Sequence, residues 1–243
     1  MRLYFIRHGQ SSNNALYDLT QSNLGRDEDP ELSEIGRRQV TYLAQFLSQG
    51  ASGPASENNK SWDPQNRCGF GLTHLYTSPM VRAVATGTVV AQALQLPLRM
   101  WKELHEGGGI FLEDITGQVR TGLPGKNRTY FENHYPRLIL PENLGPEGWW
   151  NRPFEEESDR RERASSVLHD LLARHADTDD SVAFFSHGGF YNYFMTTVLG
   201  LTKPDGVWFS INNAGITRID FRSGEKQLVY QNRLDFLPSE LVT

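Results

Sequence analysis

The sequence predicts an α/β fold, with helices layered on a largely parallel sheet and an inserted cap region. Three observations predict it. Apolar runs of strand length alternate with segments whose apolar residues recur at helical spacing. The runs are nearly continuous, as in strands covered on both faces. One long stretch, 107–153, is rich in Gly and Pro and breaks the alternation with no clean period of its own, which marks a lid, cap or functional loop.

The elements follow in order. Leu3–Ile6 is the first apolar run, and Arg7, His8 and Gly9 interrupt it. Ser33 then opens a helix that carries Ile35, Val40, Leu43, Ala44, Phe46 and Leu47 and ends near Gly50. Residues 51–67 are small, polar and turn-forming, so a surface loop is expected there. Leu72–Thr77 is the second strand, and Pro79 suits the start of a helix running through Val81, Val84, Ala85 and Val89 to Leu94. A shorter third strand spans Leu96–Trp101. Trp149 and Trp150, late in the 107–153 stretch, are expected to pack the cap onto the body. Glu155, Glu156 and Glu157 mark a helix start, where the dipole favours acids, and Ala164, Val167, Leu168, Leu171 and Leu172 form its apolar face. Ser181–Ser186 is the fourth strand, Gly189–Leu199 a helix stopped at Gly200, and Ile216–Phe221 and Leu228–Tyr230 the last strands. No internal repeat is evident. The expected organisation is one domain over 1–243, with 107–153 as a substrate-specificity insertion within it.

Composition narrows the function. The 243 residues are 38% hydrophobic and 22% charged, ordinary for a globular chain. A net charge of −5 argues against a nucleic-acid surface or a polybasic membrane anchor, while a local Arg/His cluster can still take a small anion. The single cysteine, Cys68, can form no internal disulfide, which suits a reducing compartment. Cys68 itself reads as incidental. No secretory signal precedes Arg7 and no run has the length of a membrane span, so a soluble, cytoplasmic protein is expected.

Ligands of such sheets bind outside the carboxyl ends of the strands. Three of the expected strand ends carry matching chemistry: Arg7-His8-Gly9, Ser78-Pro79 with Arg82 one turn into the next helix, and Ser186-His187-Gly188-Gly189. Arginines suit phosphate or carboxylate oxygens, glycines let the backbone approach closely, and histidines offer nucleophilic or acid–base chemistry near neutral pH. Glu106 follows the third strand and can supply a proton to a leaving oxygen. Its neighbour His105 points the other way if the segment is extended.

These residues resemble the histidine phosphatase, or phosphoglycerate mutase-like, superfamily. The likeness lies in Arg7-His8-Gly9-Gln10 with Asn14 downstream, Leu32-Ser33-x-x-Gly36, and Ser78-Pro79-x-x-Arg82-Ala83-x-x-Thr86. Leu104-x-Glu106, the Glu/Ser-rich helix start with Arg163 further along, and His187-Gly188 complete it. The resemblance implies a three-layer αβα sandwich and phosphoryl transfer through a phosphohistidine. It implies His8 as nucleophile, Arg7, Arg82 and His187 as the clamp on the phosphoryl oxygens, and Glu106 as proton donor. Gln10, Asn14 and Gly188 would add phosphate or substrate contacts. It implies a small phosphorylated substrate and no cofactor.

Two other classes compete. Two histidines and a carboxylate also suit a metal-dependent hydrolase, but the arginines would repel a cation, so no metal is expected in this site. A phosphate-binding protein without catalysis is the third class, and the intact set Arg7, His8, Arg82, Glu106 and His187 argues against it. Within the enzymes, a mutase competes with a phosphatase. The Arg-His-Tyr-Gly-like run of the mutases is missing after the acid, where this chain has Glu106-Gly107-Gly108-Gly109-Ile110, so a phosphatase is favoured. The substrate and the oligomeric state, homodimer included, are not fixed by the sequence.

Overall fold

The computed structural model describes residues 1–50, 63–201 and 207–243. Nine strands and six α-helices are arranged as follows among them. β1 (Arg2–Arg7) leads to α1 (Ser12–Thr20) and α2 (Glu34–Ser48). Next come β2 (His74–Thr77), α3 (Val81–Leu94) and β3 (Leu98–Met100). β4 (Phe111–Glu113) and β5 (Arg120–Gly122) form a separate hairpin, followed by α4 (Arg128–His134) and β6 (Leu138–Ile139). α5 (Glu157–His175), β7 (Ser181–Ser186), α6 (Gly188–Val198), β8 (Ile216–Arg222) and β9 (Glu225–Arg233) complete the chain.

The main sheet has the order β6-β3-β2-β7-β1-β8-β9. The first five of these run parallel, and β8 and β9 add an antiparallel edge. β1 lies near the middle, paired with β7 in the register Arg2↔Ser181 to Arg7↔Ser186. Its apolar run explains the position: Leu3, Tyr4, Phe5 and Ile6 are all fully buried. Their side chains alternate between two cores. Tyr4 and Ile6 pack with Leu43, Leu47 and Val84 from α2 and α3. Leu3 and Phe5 pack with Val167, Leu171, Phe190 and Phe194 from α5 and α6. Helices therefore cover both faces, and the three-layer sandwich is as expected.

Several boundaries shift. α3 begins after Met80, not at Pro79, and β2 and β3 are shorter than their apolar runs. α1 was not expected at all: none of its residues is buried, so it shows no apolar stripe, and a capping box between Ser11 and Asn14 fixes its start. The 107–153 stretch is more ordered than its composition suggests. It holds the β4–β5 hairpin and α4, and β6 leaves the cap altogether to join the main sheet beside β3. Two residues, Leu138 buried and Ile139 exposed, are too few to show a period. Trp149 and Trp150 are buried and pack on His105, at ring separations of 5.5 and 4.8 Å, as expected of residues that fasten cap to body. Of the expected 51–67 loop, residues 51–62 lie outside the described residues, and Asp63–Arg67 form turns. Cys68 is exposed.

Close packing at Gly9 and Gly36 aims the end of β1. A Cβ on Gly36 would lie 2.0 Å from the Gln10 carbonyl oxygen, and one on Gly9 would lie 2.8 Å from the Gly36 carbonyl oxygen. Backbone sits on backbone here, so neither can yield without moving α2 or the turn after His8. Gly36→Ala should therefore cost about 1–3 kcal/mol through overpacking. A urea midpoint equal to wild type would contradict this.

Candidate active site

The strands that carry the three marked ends are neighbours, in the order β2-β7-β1. Arg7 closes β1 and His8 follows it, Ser78 follows β2, and His187 follows β7 as the residue preceding α6. The structure brings His8, Arg82 and His187 together as one cluster.

His8 is almost wholly buried, 3% exposed. Its Nδ1 lies 2.6 Å from the Gly9 carbonyl oxygen, which can only accept, so Nδ1 carries the proton and Nε2 the lone pair. A second contact agrees: Arg82 Nε–H donates to His8 Nε2 at 3.1 Å. Gly9 is held in turn by its N–H to Thr86 Oγ1, 3.1 Å. The His187 ring centroid is 5.1 Å from that of His8. His187 Nε2 meets Ser78 Oγ at 2.7 Å, while its Nδ1 is buried with no partner among the described residues. Arg7 donates to the Ile211 carbonyl at 2.7 Å, and its buried Nε likewise has no partner. A Cβ on Gly188 would lie 3.4 Å from that Nε, so Gly188 closes over the guanidinium. Unpaired buried donors are costly, and a bound phosphoryl oxygen is the kind of group that would satisfy them.

Glu106 reaches the same rim. Its carboxylate accepts three backbone N–H groups: Gly107 at 2.7 Å, Gly189 at 2.9 Å and Phe190 at 2.7 Å. The last two belong to the first turn of α6, so a helix N-terminus fixes the acid. Its charge is felt by both Arg7 and Arg82. His105 points away into the tryptophan pair, as the alternation of an extended segment requires. Arg163 holds the bend from behind, donating to the carbonyls of Glu103 (2.7 Å) and His105 (2.9 Å) and forking onto Glu155 (2.6 and 2.8 Å). Glu155 thus does more than open a helix. Sequence reasoning missed it because it stands outside the helical pattern, one residue before the Glu156 cap.

Gln10 and Asn14 are engaged elsewhere. The Gln10 side chain donates to Asp18 at 3.0 Å and accepts from Ser33 at 2.7 Å. Asn14 Oδ1 accepts from Ser11 N–H at 3.1 Å and Asn213 at 3.3 Å. Asn14 still borders a cleft of about 250 Å³ shared with Arg7, Arg26 and Asn213. A larger cavity of about 760 Å³ lies between α3 and β6 and touches none of these residues.

Two charged groups of the site carried no sequence signal. Asp29 is buried beside Arg82, 3.8 Å from its Nη1, and accepts the Val81 N–H at 3.0 Å. Burial pushes its pKa up to about 7 against the pull of Arg82. Arg26 is close enough to oppose the charge on Arg82.

Three histidines, His8, His105 and His187, are held neutral. Burial lowers each well below the ordinary value, followed by Arg82 for His8 and His187 and by Arg163 for His105. The unfolded chain binds their protons below about pH 6.5 while the folded chain does not, so stability falls as pH drops through that value. Asp29 works the other way: its folded pKa is raised, so it gains a proton, and stability, as pH falls through about 7. Asp29→Asn should therefore steepen the acid loss of stability, seen as a larger drop in urea midpoint between pH 7.5 and 5.5 than in wild type. A shallower drop would contradict the assignment.

Comparisons with known proteins identify the family and the fold. The family model described as the histidine phosphatase superfamily (branch 1) matches residues 3–54 and 66–233. A probable phosphoglycerate mutase of Arthroderma benhamiae is 25% identical over 195 residues, 77% of this chain but 55% of that protein, so the chain spans about half the length of that relative. A probable phosphoglycerate mutase of Cronobacter sakazakii is 22% identical over 226 residues, covering 91% of this chain and 86% of that one. Among solved structures, phosphoserine phosphatase from Entamoeba histolytica aligns over 98% of this chain and 99% of its own, with a TM-score of 0.57 at 18% identity. A mycobacterial glucosyl-3-phosphoglycerate phosphatase aligns over 95% and 98%, with a TM-score of 0.57 at 19% identity. At such identities these structures establish the fold, and the family match spans nearly the whole sequence. The chain belongs to the histidine phosphatase superfamily.

Proposed function

We propose that this protein is a phosphatase that hydrolyses a small phosphate monoester through a phosphohistidine on His8. One observation carries the reading: a buried, neutral imidazole, pinned through Nδ1 to the Gly9 carbonyl, presents its Nε2 lone pair beside Arg82 and His187.

The chemistry follows from these groups. An arriving phosphoryl oxygen takes over the Arg82 N–H, which frees Nε2 to attack phosphorus. The N–P bond forms as the ester P–O bond breaks, and Glu106 gives a proton to the departing oxygen. Arg7, Arg82 and His187 offset charge on the equatorial oxygens. Water then attacks the phosphohistidine, Glu106 takes its proton, the N–P bond breaks, and phosphate leaves. No step calls for a metal or cofactor.

The test is rapid quenching of enzyme with phosphate esters, phosphoserine and phosphoglycerates among them, followed by mass spectrometry. An acid-labile phosphoryl group on His8, formed equally after exhaustive chelation, is expected. Turnover lost on chelation would favour a metal-dependent hydrolase, and no turnover on a broad ester panel a binding protein. A mutase is the second reading, favoured by the names of the two curated relatives. Rapid isomerisation of 3-phosphoglycerate with little free phosphate would select it. No helix of the described residues is long and apolar enough to cross a membrane.

A further inference from the structure

At the opposite end of the sheet, three potential metal ligands from different parts of the chain meet. His74 opens β2, Asp180 immediately precedes β7, and His175 closes α5. Asp180 lies between the two rings: its Oδ2 is 2.8 Å from His175 Nδ1 and its Oδ1 is 3.6 Å from His74 Nδ1. One ligand atom from each residue falls within 4.8 Å of the others. Bonds of about 2.0–2.1 Å at tetrahedral angles put ligand atoms about 3.3–3.4 Å apart, so small rotations would close the set around an ion.

We propose that His74, His175 and Asp180 form a binding site for a divalent transition ion of the zinc type, separate from the phosphoryl-transfer site.

Three further features support the assignment. His175 Nε2 lies 3.1 Å from the Tyr76 hydroxyl: without an ion Nδ1–H donates to Asp180 and Nε2 can accept the Tyr76 O–H, and an ion on Nδ1 would shift the ring proton to Nε2, which can then donate to the same oxygen. Histidine ligands are usually held by such an outer partner. His175 is 5% exposed at its side chain, whereas His74 is 38% exposed, which gives an ion a way in and leaves a position for water. Two imidazoles and one carboxylate favour zinc, cobalt or nickel over magnesium or calcium. Without an ion the same groups make a plain network: His175 Nδ1 bonds Asp180, and Thr73 Oγ1 meets His74 Nδ1 at 2.9 Å. Binding would exchange those two contacts for metal bonds.

β7 separates this cluster from His187, and a strand of that length spans roughly 20 Å. An ion there would take no part in phosphoryl transfer. It would tie the carboxyl end of α5 to the starts of β2 and β7, so its effect is on stability.

The test uses metal-free, tag-free full-length protein titrated with Co²⁺ and then Zn²⁺. Wild type should bind a single equivalent of Co²⁺ with the intense visible bands of tetrahedral coordination, lose them to Zn²⁺, and melt at a higher temperature with the ion. His74→Ala, at a half-exposed position, should fold normally, keep wild-type phosphatase activity, and bind at least about tenfold more weakly. Tyr76→Phe should weaken binding about 10–100-fold. His8→Ala should bind as wild type does. The proposal is overturned if wild type develops no such bands, if His74→Ala binds as tightly as wild type, or if only His8→Ala loses the ion.

Discussion

Alanine at position 8 is expected to abolish turnover and the phosphoenzyme together, with kcat falling on the order of 10⁴–10⁶. The magnitude follows from what remains. Arg7, Arg82 and His187 do not depend on the His8 ring for their backbone positions, since they stand on β1, α3 and the end of β7. The anion clamp should survive, so phosphate or a slow substrate should bind nearly as before, and the loss should fall on kcat and not on KM. His187, the other imidazole of the cluster, has its Nε2 against Ser78 Oγ at 2.7 Å, which takes that nitrogen out of play as a nucleophile. The pH profile adds a second check. Because burial, and then Arg82 and Arg7, hold the His8 pKa well below its ordinary value, His8 stays deprotonated as pH falls through 6.5. The acid limb of kcat/KM in wild type should therefore show no break near the free histidine value. A His8→Ala enzyme that still traps a phosphoryl group, or a wild-type break at about pH 6.5 that vanishes in it, would refute the assignment.

Much of this site was legible because it lies on the most regular parts of the chain. β1 and β7 are buried on both faces, so their apolar runs end where the strands end, and the residues just beyond them had to share a rim. The glycines at 9 and 36 explain the rest of the register, since only a bare backbone fits there. What stayed hidden lacks a period or a local partner. α1 buries nothing, and β6 is two residues long. Asp29 joins Arg82 across 53 positions of sequence, and Glu155 meets Arg163 from outside a helix. The Gln10 and Asn14 side chains have the polar chemistry that suggests ligand contact, yet their hydrogen bonds go to Asp18, Ser33, Ser11 and Asn213. Polarity near a site is legible in a sequence; which neighbour satisfies it is not.

Glutamine at position 106 should slow hydrolysis of an alkyl phosphate by about 10²–10⁴, and hydrolysis of p-nitrophenyl phosphate much less. The contrast is the point. An alkoxide leaves only with a proton, whereas nitrophenolate is stable enough to leave without one, so the dependence on leaving group isolates proton transfer. A structural role would predict no such contrast. Glu106 accepts N–H groups from Gly107, Gly189 and Phe190, and an amide nitrogen cannot accept. If those bonds mattered only by holding α6 in place, both substrates would slow alike. Gly189→Ala separates the two effects further. Its Cβ would fall 2.4 Å from Glu106 Oε1, pushing the carboxylate aside without removing it. That variant should also impair the alkyl ester more than the nitrophenyl ester, since the acid is present but displaced. Dephosphorylation needs the same carboxylate as base, so Glu106→Gln should accumulate phosphoenzyme on the nitrophenyl ester where wild type does not. Equal losses on both esters, with no accumulation, would leave Glu106 as a brace for α6 and require a different proton donor.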